Sequence, residues 1–351
     1  MNRQISIDGT RIADDEKAYI IADIGHNHAG QMDRLEAMVD SAKASGVNAV
    51  KFQTRNPKSL YAPAEYYRES DNLQWMDKTY GIHREKLEWS KEEWRYVFEY
   101  CQGVGITAFS TPFDFRSLDL LIGLGVPAIK IASGDATNHP LIAAGASHGL
   151  PMVISTGGAT QKEVDEIAET MERTTTPYAL LQCSCIYPAP HDVLNLRAIS
   201  TFRDRYGSVC TGLSTHDPES HPTLAAFALG GRIFEHHYTN NRRWKGTDNA
   251  FSLTPVMMKQ LRTQLDDLLP AMGTGEKKPD PREYNYTTER RKSVYWGKDV
   301  ARGTIIRATD ISIQCPGGGI APKYAETFVG KVANRNTRAG EAVQLGEIEN
   351  G

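Results

Sequence analysis

Eight short apolar runs recur along this chain, and an amphipathic segment follows each of them. The runs cover residues 19–25, 48–53, 106–110, 128–132, 152–155, 178–183, 209–214 and 232–238. Their length and their Val, Ile and Ala content predict buried strands. The intervening segments, at 32–45, 91–103, 115–124, 140–147, 161–173, 196–206, 221–229 and 255–269, have helical spacing and glycine or polar ends. Strands that alternate with helices run parallel, and eight such units predict a closed (β/α)8 barrel, the TIM barrel. An open doubly wound sheet is the alternative. It fits less well, because no GxGxxG follows the first strand.

The remaining segments predict a second, smaller part. Residues 4–11 read as a leading hairpin. Residues 54–89, rich in Tyr, Pro and charge, form one long irregular piece, and we expect a lid that carries substrate contacts. Gly, Pro and charge without periodicity mark 273–288 as a linker after a barrel spanning 1–272. Residues 289–351 hold strand-like pieces at 293–296, 311–314 and 342–344, punctuated by glycines. A β module of about 60 residues buries little surface by itself, so it is expected to dock on another surface, with a second chain as one candidate.

Composition narrows the partners. A net charge of -3 gives no reason to expect nucleic acid or an anionic membrane. No apolar run approaches the roughly 18 residues of a membrane span. The first twenty residues lack the basic-then-apolar form of a signal peptide. Five scattered cysteines suit a reducing compartment better than a disulfide framework. Together these predict a cytoplasmic location.

In such a barrel, functional side chains gather at the C-terminal ends of the strands. There the sequence places Asp23, then Lys51 and Gln53 on one face by alternation, then Thr111. Lys130, Ser133 and Asp135 follow, then Ser155 and Thr156, then Cys183, Cys185 and Tyr187. The last two strands bring Ser214 with His216, and Glu235 with His237. His216 and His237 end two successive strands, so their imidazoles can hold a divalent metal and leave positions open for substrate. The plainer alternative is two inert, hydrogen-bonded histidines. Lys51 and Lys130 sit inside apolar strands, where an ammonium without a partner is costly, so an anionic ligand is expected there. A Cys183–Cys185 zinc site ranks below the two-histidine site. His26, His28 and His191 are loop histidines with expected polar contacts, and His236 should point away from the barrel axis.

The segments IADIGHNHAG, AVKFQT, FSTPFD, GVPAIKIASGD, VISTGGAT, CIYPAP, GLSTH and FEHHYT occur in this order. In that order they resemble the signature segments of the sialic acid synthase family, which includes N-acetylneuraminate, pseudaminate and legionaminate synthases. The tail, from KSVYWGKDVARGTII to VGK, resembles that family's antifreeze-like SAF domain, a β-clip fold. The resemblance covers nearly the whole chain. It implies condensation of phosphoenolpyruvate with the open-chain aldehyde of an amino sugar such as N-acetylmannosamine, giving a nine-carbon 2-keto acid and phosphate. It implies His216 and His237 as ligands of manganese, with magnesium or cobalt as substitutes. It gives Lys51, Thr111, Lys130, Ser133, Ser155 and Ser214 to phosphoenolpyruvate, and Gln53, Asp135, Tyr187 and Asp248 to the sugar. It further implies a domain-swapped homodimer in which each SAF domain covers the partner's barrel mouth.

Four departures bear on the substrate. Asp23 stands where the family commonly has Glu, and could still act as base toward water. Cys185 stands in place of Asn, and Ser214-Thr215-His216 in place of Ser-Asp-His. Cys315-Pro316-Gly317 stands in place of Arg-Pro-Gly, whose arginine contacts the sugar's N-acyl group. The phosphoenolpyruvate half is intact and the sugar half altered. Two other functions stay open at this point: a metal-dependent aldolase using pyruvate, and a weakened homologue that binds a sugar or anion.

Overall fold

The computed structural model describes residues 3–69 and 76–349, so positions 70–75 of the expected lid lie outside the described residues. The chain forms two compact units that divide after Gly273.

The first unit opens with an antiparallel hairpin, β1 (Gln4–Ile7) and β2 (Thr10–Ala13). Eight parallel strands then close into a barrel: β3 (Tyr19–Gly25), β4 (Ala49–Thr54), β5 (Thr107–Pro112), β6 (Ile129–Ile131), β7 (Met152–Ser155), β8 (Tyr178–Cys183), β9 (Cys210–Thr215) and β10 (Ile233–His237). Each strand pairs with its sequence neighbours, and β10 closes the ring on β3. This is the (β/α)8 barrel, with helices on its outside.

The helices carry their own start and stop signals. They are α1 (Met32–Ala44), α2 (Pro57–Leu60), α3 (Pro63–Tyr66), α4 (Tyr80–Glu85), α5 (Lys91–Val104), α6 (Phe115–Gly123), α7 (His139–Ala146), α8 (Gln161–Glu172), α9 (Ala198–Arg205), α10 (His221–Ala228) and α11 (Pro255–Ala271). Capping boxes start α5 (Ser90 with Glu93) and α8 (Thr160 with Glu163), satisfying amides that the first turn leaves free. The side chains of Asp114 and Asn138 cap α6 and α7 in the same way. The segment after β4 is less irregular than its composition suggests, since α2, α3 and α4 occupy much of it.

Burial sorts into three layers. The bottom of the barrel is plugged by Ile5, Ile7 and Ile12 of the hairpin, packed on inward residues such as Tyr19, Phe109 and Leu181. Two outer shells lie between strands and helices, one around Phe52, Trp94 and Phe234, the other around Ile131, Ile154 and Leu180. Gly212 is required where β9 approaches β10, because a Cβ there would lie 1.8 Å from the carbonyl oxygen of Ile233. With the bottom filled by hydrocarbon, polar strand residues collect at the opposite end.

The second unit has its own core of Val294, Trp296, Val300, Ile306, Phe328, Ala333 and Val343. Its strands are β11 (Ser293–Trp296), β12 (Ile311–Gln314), β13 (Val332–Ala333) and β14 (Ile348–Glu349). The strand expected at 342–344 is instead a single bridge from Ala342 to Tyr295, because the chain turns into a short 3-10 helix at Leu345–Glu347. The indole of Trp296 is fully buried and donates from Nε1 to Glu347 Oε2 at 3.2 Å.

Candidate active site

Strand register sets out the site. His237, Asp23 and Lys51 are direct cross-strand neighbours on β10, β3 and β4. Cys183, Ser214 and Glu235 form a second row on β8, β9 and β10. In a parallel sheet such neighbours point to one face. Both rows open into a cavity of about 500 Å3. Alternation sends His236 the other way, where its Nε2 lies 2.7 Å from Thr223 Oγ1 on α10.

Two lysines make the floor. Lys51 and Lys130 are each 2% exposed. Lys51 Nζ lies 3.0 Å from Asp23 Oδ1 and donates to Thr111 Oγ1 at 3.2 Å. Lys130 Nζ donates to Ser155 Oγ at 2.7 Å and to the Ile131 carbonyl at 2.8 Å, with Glu235 Oε2 at 3.8 Å. Ser214 Oγ donates to Glu235 Oε1 at 3.1 Å. Neither ammonium lacks a partner within the protein, contrary to the sequence expectation, because Asp23 and Glu235 supply carboxylates from other strands. Burial still holds the Lys130 ammonium below its usual range, against the opposing pull of Glu235.

Above the floor stand the two imidazoles, their ring centroids 5.4 Å apart. His216 Nδ1 lies 2.8 Å from the Ser184 carbonyl. A carbonyl only accepts, so this nitrogen carries the proton and Nε2 presents its lone pair. Burial, and then the neighbouring His237, push the His216 pKa down to about 4, so the ring is neutral at pH 7. His237 Nδ1 is buried without a hydrogen-bond partner among the described residues. The nearest carboxylate oxygens are Asp23 Oδ2 at 3.6 Å and Asp248 Oδ2 at 4.0 Å. Two imidazoles with available ring nitrogens beside a carboxylate suit a divalent cation. No group of three His, Cys, Asp or Glu side chains among the described residues forms a metal site by itself.

The rim is built from loops. Tyr187 leans over His216 with centroids 3.9 Å apart. Cys183 and Cys185 both line the cavity, and Ser133 Oγ accepts from the amide of Gly157 at 2.9 Å. A Cβ on Gly157 would meet Cys185 Sγ at 2.5 Å and Ser133 Oγ at 2.7 Å, so a larger residue would displace these two rim side chains. The hydrogen bond from Cys183 is the largest cause that lowers the Cys185 thiol to about 6. On the β4 side, Gln53 Oε1 accepts from Arg55 Nη2 at 2.7 Å. Arg55 also stacks on Phe113 with its guanidinium carbon 3.7 Å from the ring centre.

Of the residues expected at the site, Asp23, Lys51, Gln53, Thr111, Lys130, Ser133, Ser155, Cys185, Tyr187, Ser214, His216, His237 and Asp248 line this one cavity. Asp135 is not among its lining residues; its Oδ1 accepts from Asn138 Nδ2 at 2.9 Å. Cys315 belongs to the second unit, exposed, with its Sγ 3.5 Å from the Arg290 carbonyl. His191 is exposed and lies 3.6 Å from Asp217, while His28 stacks on Trp89. The sequence reading missed Arg55, Arg84 and Phe113 as lining residues, and gave His26 only general polar contacts. Arg55 continues the alternation of Lys51 and Gln53 and was findable by that signal. Arg84 lies on α4 and had none.

Comparison with known proteins follows the same outline. The chain matches the family model described as the NeuB family over residues 38–277, and the SAF domain over residues 291–349. It is 34% identical over 340 residues to the N,N'-diacetyllegionaminic acid synthase of Legionella pneumophila, covering 94% of each chain. It is 38% identical over 251 residues to the N-acetylneuraminate-9-phosphate synthase of Drosophila melanogaster, covering 71% of this chain and 68% of that one. Among solved structures, the N-acetylneuraminic acid synthetase of Leptospira borgpetersenii, crystallised with citrate, superposes with a TM-score of 0.74. It is 30% identical, with 81% of this chain and 95% of that one covered. A truncated 3-deoxy-D-arabino-heptulosonate 7-phosphate synthase of Thermotoga maritima, 14% identical with a TM-score of 0.59 over 78% of this chain and 94% of that one, shares the fold alone. The chain therefore belongs to the NeuB family, the sialic acid synthases whose ordered motifs its sequence carries, and ends in a SAF domain.

Proposed function

We propose that this protein is a synthase that condenses phosphoenolpyruvate with the open-chain aldehyde of an amino sugar, giving a 2-keto-3-deoxy sugar acid and inorganic phosphate. The observation that carries the reading is the convergence of two buried lysines and three strand hydroxyls beneath a pair of imidazoles in one cavity. The floor donors, Lys51, Thr111, Lys130, Ser155 and Ser214, suit a phosphate and a carboxylate on one small molecule. Ser133 completes that set. An aldolase using pyruvate would have no phosphate for them to hold.

His216 and His237 would hold the divalent metal, manganese by resemblance to the family, with magnesium or cobalt as substitutes. When bound, it polarises the aldehyde oxygen. The protein's own residues do the rest. Tyr187, Gln53 and Asp248 orient the sugar so that its aldehyde carbon faces C3 of phosphoenolpyruvate, and the C–C bond forms there. Water adds at C2, and Asp23, lying between Lys51 and His237, accepts its proton. The aldehyde oxygen takes up the proton that Asp23 received and becomes a hydroxyl, and the C2 hydroxyl gives its own proton to the departing phosphate as the C2–O bond breaks and the ketone forms. Burial of the floor keeps bulk water from the reacting carbon.

The active form is proposed to be a homodimer in which the SAF domain of one chain caps the barrel mouth of the other. Support comes from the small core of that unit and from the 273–288 linker. No helix among the described residues is long and apolar enough to cross a membrane. The test is metal-dependent phosphate release from phosphoenolpyruvate with a panel of aldoses. One phosphate per 2-keto acid formed is expected. Consumption of pyruvate without phosphoenolpyruvate would replace this reading with the aldolase.

A further inference from the structure

The rim holds a charge arrangement that the floor does not. His26 lies between two guanidinium groups, with Arg55 Nη1 2.7 Å from its Nε2 and Arg84 Nη1 3.0 Å from its Nδ1. A guanidinium only donates, and a neutral imidazole has one lone pair. One of the two contacts therefore sets N–H against N–H. Protonating His26 would worsen this, and burial together with both arginines holds its pKa well below the usual range.

The carboxylates nearby are too few. Glu88 is the one carboxylate within 4.0 Å of either guanidinium among the described residues, and it reaches Arg55 only at that limit. Its Oε1 makes no hydrogen bond there, and burial raises its pKa to about 7. Arg84 has no carboxylate within that distance among the described residues, and its Nε is buried without a partner. Asp135 and Asp114, the next acids, are committed to Asn138 and to the Asn56 amide. On the floor each lysine has its own acid. At the rim the one nearby carboxylate, Glu88, reaches Arg55 alone, and both arginines line the cavity.

We infer that Arg84 and Arg55 form an anion subsite for the acceptor, and that the acceptor sugar carries a phosphate or carboxylate on the part of its chain away from the aldehyde. The inference rests on the synthase reading, because the aldehyde end is placed at His216 and His237 and the remote end then meets the rim. An anion between the guanidiniums would turn Arg84 away from the imidazole edge and leave His26 a single donor to accept from.

The experiment measures calorimetric binding of three probes with phosphoenolpyruvate present and divalent metal removed by chelator, so that no turnover occurs: N-acetylmannosamine, its 6-phosphate and its 6-carboxylate. The full-length protein, Arg84→Gln and Arg84→Lys are compared, with the melting temperature as a control for folding. The wild type should bind at least one anionic probe roughly 30-fold or more tighter than the neutral sugar, about 2 kcal/mol. The phosphate and carboxylate arms tell the two anions apart. Arg84→Gln should erase that preference, Arg84→Lys should restore part of it, and phosphoenolpyruvate affinity should stay within about twofold. Equal binding of neutral and anionic probes by the wild type would overturn the inference. So would an Arg84→Gln effect on phosphoenolpyruvate instead of the acceptor. Phosphate release after manganese is restored separates this result from the synthase reading: anion preference without phosphate release would sink the reading and keep the subsite.

Discussion

The floor and the rim of one cavity are built on different principles. Floor groups stand on strands, are almost fully buried, and come as balanced pairs: Lys51 with Asp23, and Lys130 with Glu235. Rim groups stand on loops and short helices, and include two arginines, only one of which has a carboxylate within 4.0 Å among the described residues, and a thiol displaced toward its anion. A balanced, rigid floor is preorganised for one constant substrate. A rim with uncompensated charge discriminates among substrates that bring the missing partner. On the synthase reading, the strand-borne groups serve the reaction and the loop-borne groups serve selection.

The largest effect should come from the imidazoles between the two layers. His216→Ala and His237→Ala should each lower turnover by about a thousandfold or more, on the order of 4 kcal/mol, without loss of the barrel. Phosphate release in excess manganese with circular dichroism as control measures this. Near-normal activity in either variant would remove the metal from that place.

The next effect concerns stability and pH at the rim. Burial raises the folded pKa of Glu88 from 4.5 to about 7. A raised folded pKa means the folded state holds the proton more tightly, so its contribution is fully present below pH 4.5 and is lost as pH rises through 7. The loss is on the order of 3 kcal/mol. Glu88→Gln should flatten this part of the stability curve, measured by urea unfolding between pH 4.5 and 8. An unchanged slope would place the rim's charge balance elsewhere.

On the floor, Lys51→Met and Lys130→Met should raise the Michaelis constant for phosphoenolpyruvate roughly 10- to 100-fold, from charge-assisted bonds of about 1.5–3 kcal/mol each. The sugar constant should move much less. A change confined to the sugar would reverse the division between floor and rim.

The smallest effect belongs to the second unit. A neutral thiol at Cys315 cannot make the forked bonds of a guanidinium. Cys315→Arg should therefore improve use of N-acetylmannosamine by about tenfold, or shift the acyl preference, as steady-state kinetics on several 2-acylamino sugars would show. Efficient wild-type use of that sugar, unchanged by Cys315→Arg, would leave Cys315 no part in selection.

The contrast also explains what could be read in advance. Strand residues obey a period of two and strand ends obey barrel geometry, so Lys51, Gln53, Ser214 and His237 were legible one by one. The second unit was less legible, because two-residue strands such as Val332–Ala333 carry no periodic signal, and 342–344 was mistaken for one. Asp135 was placed by its position after a strand, yet a local turn gives its carboxylate to Asn138.

The sequence by itself determined the eightfold alternation, the parallel barrel it requires, and the strand-borne half of the site, because these follow from local periodicity. Only the tertiary structure decided that Asp23 and Glu235 neutralise the buried lysines, since ring closure and strand register set those distances. It alone brought Arg84, from a short helix after β4, to the same imidazole as Arg55. No sequence period links residues 26, 55 and 84; the path of the loops over the barrel's end does.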